Sequence, residues 1–174
     1  MISINKNTIK VIIPQFITHI EKTNNKIAPN KFIKINNQLI YNSNLNRFAR
    51  NIVVINMHNY IISHINKKFQ LNKYPYQISL NFYAPINYGS ISRRFIKSEK
   101  DFKIICKEPS KDYTPNWDIG NYGDIWLKTF ADALQIKGCL KDDNVKYIKS
   151  IGPTTFIQED LFENRKLEFI IKPI

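Results

Sequence analysis

The chain has 174 residues, enough for one packed domain and short for two, and its 43% apolar and 13% aromatic content excludes global disorder. A net charge of +12 favours polyanionic partners, nucleic acid first among them, although a genome rich in A and T would also inflate Lys, Asn and Ile. Cys106 and Cys139 are too few for a zinc cluster or a disulfide framework, and no apolar run reaches the length of a membrane span. The expectation is a soluble intracellular protein with two buried thiols, no membrane contact and no small-molecule cofactor.

Taken in chain order, residues 8–17 (TIKVIIPQFI) are rich in β-branched side chains around Pro14 and predict a strand that ends or bulges at the proline. The polar, turn-rich KTNNKIAPNKF and the short apolar core of INNQLIYNS predict a β-ribbon or a loop. From Asn44 the spacing of Leu45, Phe48, Ile52, Ile55, Ile61 and Ile62 becomes helical, with Ser43 or Asn44 as the cap, and predicts one helix over residues 45–67. Residues 77–83 (QISLNFY) alternate and stop before Pro85, the pattern of a half-buried strand placed centrally in a sheet.

A long basic loop at about 85–117 follows, with Arg93, Arg94, Lys97, Lys100, Lys103, Lys107 and Lys111 among aromatic residues. A structureless connection of that length is unusual in a compact domain, so it is a functional flap or contains a short hairpin. Ile125, Trp126, Phe130, Ala133 and Leu134 form an apolar stripe that Gly138 is placed to stop, which predicts a second helix over residues 121–136. A polar turn with Lys141, Asp142 and Asp143 then leads to Val145, Tyr147 and Ile148, and LEFIIKPI closes the chain as a strand.

Acidic residues are scarce, yet Asp118, Asp124, Asp132, Asp142 and Asp143 fall where a helix, a turn and a following strand could gather them. Carboxylates repel one another unless a cation or a proton lies between them, so a cluster within a cationic chain points to a hard divalent ion such as Mg2+, with Mn2+ as the alternative. Asp124, Lys128 and Asp132 are four residues apart on one helix face. That face is equally well a solvated one laced with ion pairs, but ion pairing leaves Asp118, Asp142 and Asp143 unexplained. A lysine one turn from a metal ligand is suited to holding a scissile phosphate or orienting a water.

These residues resemble the RusA family of Holliday junction resolvases, whose signature runs DxDNxxK, then DAL three residues later, then a DD pair about eight further on, followed by a strand. Lys128, Asp132-Ala133-Leu134 and Asp142-Asp143-Asn144-Val145 match its second half in residue and spacing. The first half departs: Asp118-Ile119-Gly120-Asn121 has glycine for the second acid, and four extra residues precede Lys128. Aligned without that gap, Asp124 takes the place of the missing acid. Weaker similarity extends upstream through IAPNKF, QLIYNSNLNRFARNI and QISLNFYAP.

The resemblance implies one α+β domain over residues 1–174, a mixed sheet packed against two main helices. It implies a homodimer with two metal sites that cut opposed strands of branched DNA, and a cytoplasmic, DNA-associated protein of a family often encoded by phages or prophages. It assigns metal binding to Asp118, Asp124 and Asp143, with Asp142 either a support or a ligand, and gives Lys128 the catalytic lysine position. Arg93, Arg94 and Lys97 would clamp phosphates, with Arg47 and Arg50 as further contacts, or they are an ordinary charged loop and helix face. The alternatives from other classes are a branched-DNA-binding protein that has lost catalysis, motivated by Gly120, and an unrelated basic structural protein. His19, His58 and His64 have no motif linking them to the acids and are left out of the site.

Overall fold

A computed structural model describes residues 1–5, 7–16, 19–22, 32–34, 47–65, 69–72, 74–84, 93–99, 102–107 and 119–174. In chain order these form β1 (Ile2–Asn5), β2 (Thr8–Pro14), β3 (His19–Lys22), β4 (Phe32–Lys34), α1 (Arg47–His64), β5 (Tyr76–Ala84), β6 (Arg93–Glu99), β7 (Phe102–Lys107), α2 (Ile119–Ile136), β8 (Ile148–Gln158), a 3-10 turn (Phe162–Asn164) and β9 (Lys166–Pro173).

Strict alternation decides the centre of the molecule. Along β5, Tyr76, Ile78, Leu80, Phe82 and Ala84 are buried while the residues between them are half-exposed, which is the period of a strand with one face on a core. Register carries that face sideways: Ile78, Leu80 and Phe82 stand beside Ile171, Phe169 and Leu167 of β9, and the last two stand beside Val11 and Ile13 of β2. The resulting five-stranded sheet has the order β1-β2-β9-β5-β8, antiparallel except for the parallel pair β5 and β8.

Both helices cover this buried face. α2 lies on β8 and β5, and α1 packs on α2 and on β2. From α1, Val53, Met57, Tyr60 and Ile61 enter the core at helical spacing, and from α2, Ile125, Trp126, Phe130, Ala133 and Leu134 do the same. The Phe130 ring stacks on Phe169 with centroids 3.9 Å apart, and Phe16 bridges Phe82 (4.7 Å) and Trp126 (6.3 Å). Each such side chain contributes about 1.5–3 kcal/mol on burial, which outweighs the weak β-branched helix propensity of α1. On the opposite face of the sheet Glu168 is buried as well, accepting a hydrogen bond from Asn81 Nδ2 (3.0 Å) with Lys10 Nζ at 3.4 Å.

An α+β domain with a mixed sheet against two helices is therefore what the chain forms. Several boundaries differ from expectation. β2 ends at Pro14, as expected, and Gln15 turns the chain with φ of 48°, but β1 ahead of it is not expected from the sequence. α1 ends at His64 rather than near residue 67, and α2 starts two residues earlier than its stripe suggested. Val145 and Tyr147 belong to a turn, and the strand expected around them starts at Ile148 and runs to Gln158. Within 85–117, β6 and β7 form an antiparallel hairpin, the second of the two alternatives for that segment. It joins β3 and β4 in a separate four-stranded antiparallel sheet of order β4-β3-β7-β6, while residues 23–31 and 35–43, which make up most of the expected ribbon or loop, lie outside the described residues.

Candidate functional site

β5, α2 and β8 make a crossover unit: two parallel strands joined through a helix that returns antiparallel across the sheet. The N-terminal part of α2 is pressed against β8 at Gly123. A Cβ there would fall 2.7 Å from Cγ2 of Thr154 and closer still to its Oγ1, so glycine is what permits this approach. One residue further, Asp124 turns outward and is exposed, as is Lys128 one turn later. Asp118 lies outside the described residues.

Asp132, the third member of that face, is not solvated like the other two. It leans toward α1, where its Oδ2 lies 3.4 Å from Nε2 of His58, with both side chains largely covered. The separation suits attraction to a protonated ring, but the alignment is not that of a hydrogen bond, and the buried Nε2 has no hydrogen-bond partner. No motif in the sequence links His58 to the acids. The signal available was its position beside Met57, at the margin of the buried stripe of α1.

At the far end, α2 is stopped by Gly138 in a left-handed conformation (φ +73°), with the Gly138 and Cys139 amides donating to Gln135 and Leu134 carbonyls at 2.9 Å. Cys139 is buried, as expected, and its carbonyl accepts from the Leu71 amide at 3.0 Å. The acidic turn follows. Asp142 Oδ1 accepts from the Asp143 amide (2.8 Å) and its Oδ2 from Asn144 Nδ2 (2.6 Å), while Asn144 Oδ1 accepts from the Lys146 amide (3.0 Å). The Tyr147 and Ile148 amides both donate to the Asn144 carbonyl at 2.9 Å, and the Tyr147 carbonyl accepts from Tyr76 at the start of β5. Asp142 thus shapes the turn with both of its oxygens, and Asp143 is presented to solvent on an ordered backbone.

This geometry separates the acids rather than gathering them in one chain. Asp124 follows Gly123, which packs on Thr154 beside Leu80 midway along β5, and Asp142 and Asp143 lie just before the start of β8, at the end of the sheet where β5 begins. About 18 Å of helix axis runs between Asp124 and the end of α2. Among the described residues no three His, Cys, Asp or Glu side chains group as a metal site. Exposed carboxylates are nonetheless the oxygen donors that Mg2+ prefers, and Asp124 and Asp143 are both of that kind.

Of the expected DNA contacts, Arg93, Arg94 and Lys97 belong to β6, and Arg47 and Arg50 to the first turn of α1; their side chains lie outside the described residues. The backbone register pairs Arg93 with Lys107 across β6 and β7. No helix among the described residues is long and apolar enough to cross a membrane. Comparison of the chain with protein-family models, curated proteins and solved structures finds no match.

Proposed function

We propose that the protein is a magnesium-dependent endodeoxyribonuclease that cuts Holliday junctions or related branched DNA in recombination and repair, in the manner of the RusA family. The observation that carries this reading is the pair of exposed stations on the crossover. Asp124 and Lys128 stand one turn apart on α2, and Asp143 stands on a hydrogen-bonded turn at the matching distance along the chain. Bound Mg2+ would supply an activated water and charge stabilisation for the phosphate. Asp143 and the upstream acids, Asp118 and Asp124, would hold the ion, and Lys128 would hold the phosphate to be cut.

Since α2 keeps Asp124 and Asp143 apart within one chain, an ion they share takes Asp143 from one copy and the upstream acids from another. A two-fold dimer then carries two such sites, one for each of two opposed cuts. The hairpin of β6 and β7 supports a grip on DNA, because like charges directly across a ladder, Arg93 opposite Lys107, are unfavourable unless a polyanion lies near them.

A second reading, a protein of the same fold that binds branched DNA without cutting it, is favoured by Gly120 at the position of the family's second acid. Incubation with a synthetic four-way junction and Mg2+ separates the two. Cleavage by the parent, lost in Asp143→Asn with junction binding retained, supports the nuclease; binding without cleavage in the parent rejects it. Preference for the junction over linear duplex tests both readings, and no preference even at low salt rejects both.

A further inference from the structure

The sheet edge where β5 begins holds a pocket of about 230 Å³ between the turn joining β1 to β2 and the segment leading into β5. Buried Tyr76 and Ile171 give it an apolar floor, and the amides of Asn5, Asn7, Gln70 and Asn72 are exposed around it. Among the described residues no charged side chain lines it, and none of the four amides has a hydrogen-bond partner. Each amide offers both a carbonyl acceptor and an NH2 donor.

This lining selects against most ligands. No described lining residue offers an inorganic ion an opposite charge. An aliphatic chain would leave the polar rim unused. The volume lies below the ~300–1,000 Å³ that encloses a drug-sized molecule, so one ring system fits better than a whole nucleotide. A neutral, planar group with apolar faces and both donors and acceptors on its edge satisfies every part of it, and that is the chemistry of a nucleobase, which Asn and Gln read in pairs of hydrogen bonds.

The surroundings agree. Tyr76 continues outward into an aromatic ladder, with the Tyr74 ring edge-on to Tyr76 (5.6 Å) and to Tyr147 (4.6 Å), and Lys146 Nζ lies 5.7 Å from the Tyr147 ring centre. The Tyr76 amide bonds to Tyr147, three residues beyond Asn144, so the pocket and the acidic turn share one edge of the sheet. In the sequence, Lys6 and Lys73 alternate with the lining amides.

We propose that this pocket binds a single unpaired nucleobase of the DNA, drawn from the strand that runs past the Asp142–Asn144 turn. The inference rests on the nucleic-acid half of the reading above and not on its metal chemistry. Saturation-transfer NMR of the full chain with millimolar nucleosides, without Mg2+, tests it directly, with ribose 5-phosphate as the probe lacking a base.

Saturation should reach the base protons of at least one nucleoside. Gln70→Ala combined with Asn72→Ala, both at exposed positions, should weaken that binding about tenfold while leaving the melting temperature unchanged. With 2-aminopurine at the branch point of a four-way junction, fluorescence should rise with the parent protein and not with the double variant. Absence of transfer from every nucleoside, equal transfer to ribose 5-phosphate, or binding indifferent to the two substitutions overturns the proposal. Nucleoside binding by a protein that never cuts a junction supports the pocket and rejects the nuclease; cleavage without nucleoside binding does the reverse.

Discussion

The two ends of α2 are held in place by different physics. At the N-terminal end the constraint is steric: Gly123 has no room for a Cβ beside Thr154, and Trp126 is wedged among aromatic rings from the turn after β2 and from α1. That turn is itself pinned by buried Arg165, which donates to the carbonyls of Phe16 (3.1 Å) and Gln15 (3.2 Å). At the C-terminal end the constraint is directional: a left-handed glycine, then a chain of side-chain and backbone hydrogen bonds from Asp142 to Ile148. Asp124 is therefore placed by packing and Asp143 by hydrogen bonding, and the two ends should fail in different ways when altered.

The largest expected effect tests whether the two ends work together across a dimer. Asp124→Asn and Asp143→Asn should each lower junction cleavage by more than about 100-fold, the upper end of what losing even an outer-shell partner costs a metal site. After the two variants are unfolded and refolded together, half of the dimers are mixed, and each mixed dimer keeps one intact site of two. Nicking should return to about a quarter of the parent's level. No recovery in the mixture, with dimers present by light scattering, would break the shared-site comparison.

Next comes Gly123→Ala. In an exposed helix this change adds up to about 1 kcal/mol of stability, but here overlap with Thr154 should reverse the sign and cost about 1–3 kcal/mol in urea unfolding. Thr154→Ala in the same chain should restore part of the loss, because it removes the atoms in the way. A stabilised single variant would show that packing does not fix this end.

Smaller effects belong to the other end. Gly138→Ala has open space around it but forces an L side chain into φ of +73°, and should cost about 1 kcal/mol in the same unfolding assay. Asn144→Ala removes one acceptor and one donor from the exposed acidic turn and should cost about 0.5–1 kcal/mol. Its sharper signature is local: faster amide exchange at Lys146, with the Trp126 core unchanged. Loosening of the whole domain by this exposed substitution would show that the turn also holds the core together.

Much of the frame was legible because it is local. Both helices, the alternating strand at residues 77–83 and the stop at Gly138 follow from periodicity and from glycine's access to positive φ. β8 was not legible past its first residue because Gly152 and Pro153 interrupt it. The structure accommodates them on an edge strand, where the register shifts between the pairs Ile78–Ile151 and Leu80–Thr154 and Gln77 Nε2 donates to the Gly152 carbonyl. For the candidate site, the sequence named the acids and Lys128, but it gave no hint that Asp132 would face His58 or that Asp142 would be engaged within its own turn.

By itself the sequence determined the basic field, the helices and the strands β2, β5 and β9, because charge and hydrophobic period are properties of short stretches of chain. Only the tertiary structure decided that β9 enters between β2 and β5 and that β5 pairs in parallel with β8 through α2. Those pairings join segments far apart in the chain and are selected by burying all the apolar faces at once, a condition no local pattern contains. The same selection sets Asp124 in the second turn of α2 and Asp143 in the turn beyond its far end, which makes a cluster of acids in the sequence into two separate stations in space.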